Sequence, residues 1–166
     1  MTGVRTHRLT TTPEGGPHVL LLDASGGDVD PDQLRQQARQ WPEASSANFA
    51  SRAYRFPLAL VAWHHEPVGI DIERIDPYDE DFCISICTHA ERATFSGVSD
   101  PAQHQSSLWC SKEALAKALG DAIRYRPQQL ESPLRWPEGR SGRWRAQELA
   151  APEGHVAWVC WQGIAP

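Results

Sequence analysis

The chain has 166 residues, of which 40% are hydrophobic and 22% are charged, and its formal net charge is -5. This length allows one compact unit, or two small halves packed together, but excludes two large independent domains. The negative net charge argues against non-specific binding to nucleic acid or to a membrane surface, so neither is expected as a partner.

Apolar segments near the start of the chain are short. The run 19–22 has the sequence Val-Leu-Leu-Leu, which is too short for the hydrophobic region of a signal peptide or for a membrane span. The pattern therefore predicts a cytoplasmic protein. Its four cysteines are expected to be reduced thiols rather than disulfides.

The first half of the chain predicts a strand followed by a helix. After a start rich in Thr, Gly and Pro over 1–17, residues 18–22 are predicted to form a strand. Asp30 and Pro31 predict the start of a helix, because the proline ring suits the first helical position. The apolar face of this helix would carry Leu34, Ala38 and Trp41.

Two strands are predicted next. Residues 56–63 and 67–75 are rich in apolar and β-branched side chains, and the short segment 64–66 between them is typical of a tight turn. We therefore expect these two strands to pair with each other as a hairpin.

The second half begins with two helix starts. Thr88 and Glu91 have the spacing of a capping box, in which the two side chains bond reciprocal backbone donors. Asp100 and Pro101 predict the start of a longer helix that ends at Gly120. Residues 142–149 and 155–161 then predict a final hairpin.

Two groups of polar residues stand out. The strand 67–75 places Asp71 and Glu73 on the same face, since side chains alternate along a strand. The long helix carries Glu113 and Lys117 four residues apart, and therefore on the same side. Taken separately, these are compatible with an ordinary polar strand face and a surface ion pair.

Lysine usage adds to this pattern. The chain contains fourteen arginines but only two lysines, Lys112 and Lys117, and both lie in the long helix. An ammonium group and a planar guanidinium are not interchangeable in a tight phosphate site.

Taken together, the two groups resemble a known family. Residues 69–73 have the sequence Gly-Ile-Asp-Ile-Glu, and residues 109–117 have the sequence Trp-Cys-Ser-Lys-Glu-Ala-Leu-Ala-Lys. They resemble the motifs G-[IV]-D-x-E and W-x-x-K-E-x-x-x-K of the 4'-phosphopantetheinyl transferase superfamily. The helix start at 88–91 also resembles the acidic helix start between these motifs, and the resemblance extends over about residues 56–162.

The resemblance implies that phosphopantetheine is transferred from coenzyme A to a serine of an acyl or peptidyl carrier protein. It implies that Mg2+ is held by Asp71, Glu73 and Glu113, and that Lys117 and Lys112 bind phosphate oxygens of coenzyme A. Glu113 would also accept the proton of the serine, directly or through water, and Lys117 would act in catalysis.

The resemblance further implies an α+β fold with two pseudo-symmetric lobes, each a small antiparallel sheet packed against a helix. The expected lobes are 1–74, which is abbreviated, and 75–166, with the active cleft between them. The expected assembly is a monomer.

The first lobe departs from the family. Larger members carry a Ser-His-Ser segment before the G-[IV]-D-x-E strand, and its histidine helps to bind the nucleotide, whereas residues 49–56 contain no histidine. Arg52 and Arg55 are candidates to replace the lost phosphate contacts. The departure leaves two alternatives open: a carrier-binding or regulatory module, or a catalyst of a different reaction in a biosynthetic pathway.

Overall fold

The computed structural model describes residues 3–9, 15–41, 47–94 and 97–163. Its first antiparallel sheet has four strands in the order β1-β2-β4-β3. These strands are β1 (Arg5–Leu9), β2 (His18–Asp23), β3 (Phe49–Arg55) and β4 (Leu58–His64).

Helix α1 (Pro31–Arg39) packs on one face of this sheet. Asp30 caps the helix, because its side chain accepts hydrogen bonds from the backbone of Asp32 and Gln33 while the Gln33 side chain bonds back to Asp30. Leu34 and Ala38 are buried against the sheet. The predicted strand 18–22 and the predicted helix are therefore confirmed.

The second antiparallel sheet has the order β5-β8-β7-β6. A long helix lies across it, preceded by two short helices. The strands are β5 (Val68–Arg74), β6 (Arg140–Ser141), β7 (Trp144–Leu149) and β8 (His155–Gln162), and the helices are α2 (Glu80–Ile86), α3 (His89–Arg92) and α4 (Pro101–Ala118).

The local predictions for this half are confirmed. Thr88 and Glu91 form the capping box of α3, α4 begins at Pro101, and β7 pairs with β8 as the final hairpin. Within the described residues, none of the helices has the length and apolar character needed to cross a membrane.

The two sheets share one hydrophobic core. Leu21, Leu60 and Ala62 from the first sheet pack together with Ile70 and Val159 from the second, while α1 and α4 cover the outer faces. This arrangement confirms the predicted α+β class with two lobes, each an antiparallel sheet packed against a helix.

The predicted hairpin of 56–63 with 67–75 is wrong. Strand β4 is buried at every position and lies inside the first sheet, where β2 and β3 are its neighbours. Strand β5 instead pairs with β8 in the second sheet. The segment 65–67 therefore crosses between sheets, and β4 forms its hairpin with the preceding strand β3.

This pairing bears on where the two lobes are divided. The expected first lobe, 1–74, includes β5, which lies in the second sheet. We propose that the boundary falls at 65–67, because no strand pairing joins the described strands on either side of it.

Candidate active site

The candidate site lies on β5, an edge strand of the second sheet. Val68, Ile70 and Ile72 point into the core between the sheets, so the alternation of the strand turns Asp71 and Glu73 to the face that α4 covers. Both carboxylates are buried, each with 6% of its surface exposed. Two buried acids side by side require specific partners.

Gly69 allows α4 to lie directly on this strand. A Cβ atom at this position would come within 2.0 Å of the Ala114 carbonyl oxygen and 2.4 Å of the Ala118 nitrogen. Only glycine tolerates such a close approach of two backbones. The contact brings the helix residues Glu113 and Lys117 to the level of the strand carboxylates.

Lys117 is the partner of Asp71. Its Nζ donates to Asp71 Oδ1 at 2.6 Å and to the Ile70 carbonyl oxygen at 3.0 Å. The second carboxylate oxygen, Asp71 Oδ2, is buried and has no hydrogen-bond partner among the described residues. A buried carboxylate oxygen without a partner is costly and marks a position where a ligand would be favoured.

The environment of Asp71 is reflected in its pKa. Burial raises the pKa of Asp71 to about 6, although the charge and hydrogen bond of Lys117 lower it. The neighbouring carboxylates Glu73 and Glu113 raise it further. The raised pKa therefore comes mainly from burial, which the charge and hydrogen bond of Lys117 offset only in part.

Glu73 is held by a residue of the other sheet. Arg55, at the end of β3, donates from Nε to Glu73 Oε2 at 2.7 Å and also from Nη2 to the same oxygen. β3 and β5 are both edge strands, and the Ser51 hydroxyl accepts the Ile70 backbone N–H at 3.1 Å between them. The site therefore lies where the two lobes meet.

Glu113 projects from α4 beside these residues and is half-buried. The hydroxyl of Tyr125, from the loop after the helix, donates to Glu113 Oε1. Burial, followed by the hydrogen bond and charge of Glu113, raises the pKa of Tyr125 well above its usual value. The hydroxyl therefore keeps its proton and remains a donor.

Tyr125 was not predicted from the sequence. It lies in an irregular segment eight residues after Lys117, where no periodic pattern indicates the direction of a side chain. Its contact with Glu113 depends on how the chain turns after α4.

The three carboxylates were predicted to hold Mg2+. Among residues 3–9, 15–41, 47–94 and 97–163, no group of three His, Cys, Asp or Glu side chains is arranged to share a metal ion. The donor chemistry nevertheless fits, because Mg2+ prefers oxygen ligands and the buried Oδ2 of Asp71 has no hydrogen-bond donor. The ligand roles of Asp71, Glu73 and Glu113 stay predictions.

Lys112 conflicts with its predicted role as a phosphate ligand. It is fully buried, and its Nζ donates to Glu91 Oε2 at 2.6 Å and to the carbonyl oxygens of Ile86 at 2.6 Å and Pro127 at 2.8 Å. An ammonium group has three protons, and all three are used. Lys112 therefore binds structural partners rather than a ligand.

Glu91 is the counter-charge of Lys112 and was predicted only as part of a capping box. Burial works to raise the pKa of Glu91, but hydrogen bonds from Lys112 and from the backbone of Ser132 and Thr88 together lower it below its usual value. The pair joins α3, α4 and the loop that follows α4, so it is part of the scaffold.

Arg52 also conflicts with its predicted role. Its Nε donates to the Ala38 carbonyl oxygen at 3.0 Å, and its Nη2 donates to the Trp41 carbonyl oxygen. These acceptors lie at the end of α1, on the outer face of the first sheet. Arg52 and Arg55 are three residues apart on β3 and therefore point to opposite faces. Only Arg55 reaches the site.

A comparison with family models agrees with this geometry. The model of the 4'-phosphopantetheinyl transferase superfamily matches residues 67–162, which include the site strand β5, all of α4 and the final hairpin. The match spans more than half of the chain, and the chain belongs to this superfamily. Among curated proteins, none matches the chain.

Proposed function

We propose that this protein transfers the 4'-phosphopantetheine group of coenzyme A to a serine hydroxyl of an acyl or peptidyl carrier protein, in a reaction that requires Mg2+. The observation that carries the proposal is the hydrogen bonding of the Asp71 carboxylate. Its Oδ1 accepts from Lys117, whereas its buried Oδ2 has no hydrogen-bond partner among the described residues, in a chain that belongs to the superfamily.

The proposed reaction exchanges a phosphoanhydride bond, in the pyrophosphate of coenzyme A, for a phosphoester bond on the carrier serine. The serine oxygen forms a bond to the phosphorus that carries pantetheine, the bond from that phosphorus to the bridging oxygen breaks, and 3',5'-bisphosphoadenosine leaves with the electron pair. Negative charge develops on phosphate oxygens in this step, so the site has to supply positive charge. Bound among Asp71, Glu73 and Glu113, Mg2+ would neutralise part of that charge.

Lys117 is suited to bind a phosphate oxygen. Two of its three ammonium protons bond Asp71 and the Ile70 carbonyl, which leaves one for a further acceptor. Its side chain is 24% exposed, so a ligand can approach it. The strand and helix that flank it keep the charge in place.

Arg55 approaches the same region from the first lobe. Its guanidinium uses two N–H groups on Glu73 Oε2 and retains others for a phosphate. The side chain is 49% exposed. A ligand that bound Lys117 and Arg55 together would lie across the junction of the two sheets, where the cleft was expected.

The serine proton also needs an acceptor. We propose Glu113 for this role, because it is half-buried at the edge of the site and is a carboxylate without a lysine or arginine partner among the described residues. Accepting the proton and holding a cation are partly competing duties for one carboxylate.

One alternative is supported by a specific observation. Of the four side chains predicted to bind the phosphates of coenzyme A, Lys112 and Arg52 are engaged elsewhere. A protein with so few free cations at the site would bind coenzyme A weakly and act as a carrier-binding or regulatory module, or on a different substrate.

The experiment is mass spectrometry of an apo carrier protein incubated with coenzyme A, Mg2+ and this protein. The proposal expects a carrier that gains one phosphopantetheine group, and no gain when Mg2+ is chelated. An unmodified carrier that nevertheless co-elutes with the protein in gel filtration would favour the binding module.

We further propose that one chain is sufficient for the reaction, because both sheets that flank the site belong to the same chain. Light scattering of the protein in solution tests this expected monomer, and a trimer would contradict it.

A further inference from the structure

The segment after α4 turns back toward the helix. The backbone N–H of Asp121 donates to the Ala116 carbonyl oxygen at 3.0 Å, and the N–H of Tyr125 donates to the Asp121 carbonyl oxygen at 3.0 Å. These bonds close two successive turns. They direct Tyr125 toward the face of α4 that carries Glu113.

The far end of the same segment is anchored by the buried ion pair. Lys112 donates to the Pro127 carbonyl oxygen at 2.8 Å, and Glu91 Oε1 accepts the Ser132 backbone N–H at 2.7 Å. Tyr125 therefore lies between two anchored points of the segment. Ala116 of α4 bonds the chain before it, and Lys112 of α4 bonds the chain after it. A side chain held in this way has little freedom to leave its partner.

The hydroxyl of Tyr125 restricts Glu113. The terminal torsion of a glutamate side chain is broad and roughly two-fold, so nothing intrinsic determines which way the carboxylate plane faces. Donation from Tyr125 to Oε1 selects one orientation. The hydrogen bonds of Glu113 with described residues fall on Oε1, which leaves Oε2 for a cation or for the substrate.

The other two carboxylates show the same arrangement. Lys117 holds one oxygen of Asp71, and Arg55 holds one oxygen of Glu73. Groups that orient metal-binding carboxylates in this way contribute to affinity although they do not touch the metal. Tyr125 differs from Lys117 and Arg55 because it orients a carboxylate without adding a positive charge to the site.

We infer that Tyr125 is a positioning residue, which presents Glu113 Oε2 to a divalent cation by holding Oε1. This inference rests on the proposed function, since it assigns the cation to the predicted carboxylates. Tyr125→Phe removes only the hydroxyl and leaves the charge of the site unchanged, so a change in cation affinity would report on orientation rather than on total charge.

The experiment is calorimetric titration of Mn2+ into the wild type and Tyr125→Phe, each in the presence of coenzyme A. The inference expects the dissociation constant of Tyr125→Phe to rise by about 10-fold, the size of effect seen when a group that orients a metal ligand is removed. The matched control is Tyr54→Phe. Tyr54 lies on β3 with the Arg35 guanidinium 5.9 Å from its ring centre, and its variant should bind Mn2+ like the wild type.

Thermal unfolding of the wild type, Tyr125→Phe and Tyr54→Phe distinguishes a role of Tyr125 in orienting Glu113 from a role in stabilising the fold. A lower melting temperature for Tyr125→Phe with an unchanged Mn2+ affinity would reduce the residue to a structural contact and overturn the inference. Absence of Mn2+ binding by the wild type would overturn it as well. A wild type that binds Mn2+ but modifies no carrier would contradict the proposed function, and the two affinities would still decide the role of Tyr125.

Discussion

Lys117 holds only one of the two oxygens of Asp71. Its Nζ lies 2.6 Å from Oδ1, whereas Oδ2 is buried without a hydrogen-bond partner among the described residues. The same lysine also donates to the Ile70 carbonyl oxygen at 3.0 Å. One side chain of α4 therefore bonds both a backbone carbonyl and a side chain of β5. We propose that a ligand with both a cation and phosphates binds at this contact between α4 and β5.

Lys117→Ala should lower the rate of carrier modification by about 100-fold or more, because one well-placed electrostatic contact to the transition state is lost. Initial rates measured by mass spectrometry check this. Arg39→Ala is the control, since it removes an exposed positive charge from α1, on the outer face of the first sheet, and should leave the rate nearly unchanged.

Lys117→Arg gives a sharper test of the same residue. Charge is retained, but the planar guanidinium has to fit where an ammonium bonds two oxygens, and the rate should still fall. A rate for Lys117→Arg equal to that of the wild type would mean that Lys117 contributes only general positive charge.

The double variant Asp71→Ala, Glu113→Ala should lose measurable Mn2+ binding in calorimetry, because two of the three proposed oxygen ligands are removed. The control Asp76→Ala, Glu80→Ala removes the same charge from residues that do not contact the site. Equal Mn2+ affinity of the two double variants would show that the carboxylates attract the cation only by charge. It would contradict the assignment of Asp71 and Glu113 as metal ligands.

Asp71→Asn should stabilise the protein at neutral pH. In the fold, burial raises the pKa of Asp71 from its ordinary 3.8 to about 6, so the folded state binds a proton more tightly than the unfolded state between these values. The contribution of Asp71 to stability is therefore largest below about pH 4 and falls as the pH rises through about 6. The loss corresponds to about 3 kcal/mol, since one pKa unit is about 1.4 kcal/mol.

Urea unfolding at several pH values checks this prediction. The difference between Asp71→Asn and the wild type should be small near pH 4, grow toward pH 6 and then level off. The control Asp28→Asn changes an exposed carboxylate and should stay within about 0.5 kcal/mol of the wild type throughout. A difference that does not vary with pH would contradict the burial argument.

Gly69→Ala should destabilise the fold by about 3 kcal/mol or more, because the added Cβ would lie 2.0 Å from the Ala114 carbonyl oxygen, a backbone atom rather than the end of a flexible side chain. Gly26→Ala is the matched control, since the nearest atom to its added Cβ is 3.9 Å away, in the flexible side chain of Arg5. Chemical denaturation measures both. Similar stabilities for the two variants would show that α4 is not seated on β5 as described.

Lys112→Met should destabilise the protein by about 3 to 5 kcal/mol, because it leaves the buried carboxylate of Glu91 without its cation. Adding Glu91→Gln should restore part of the stability. Chemical denaturation of both variants checks the prediction. If Lys112→Met were as stable as the wild type and weakened only coenzyme A binding, the originally expected phosphate role would be correct.

Much of this protein was determined by its sequence alone, where local chemistry decides the outcome. The caps at Asp30, Thr88 and Asp100 satisfy backbone donors within a few residues, so helix starts could be predicted. The two-residue period of β5 placed Asp71 and Glu73 on one face for the same reason. These features depend on neighbours that are close in the chain.

Strand β3 escaped prediction because it is an edge strand with polar side chains, and its sequence lacks the apolar alternation of a half-buried strand. Without β3, the partner of β4 was misassigned and β5 was placed in the wrong hairpin. Arg52 and Arg55 could not be assigned to opposite faces for the same reason.

Only the tertiary structure decided which charged residues meet at the site. Lys112 and Lys117 are five residues apart, about 140° around the axis of α4, and the sequence does not say which side faces the strand. Packing of α4 on Gly69 directs Lys117 to Asp71 and buries Lys112 against Glu91. Tyr125 reaches Glu113 through turns closed by backbone bonds, because contacts between distant segments depend on packing geometry that no local pattern records.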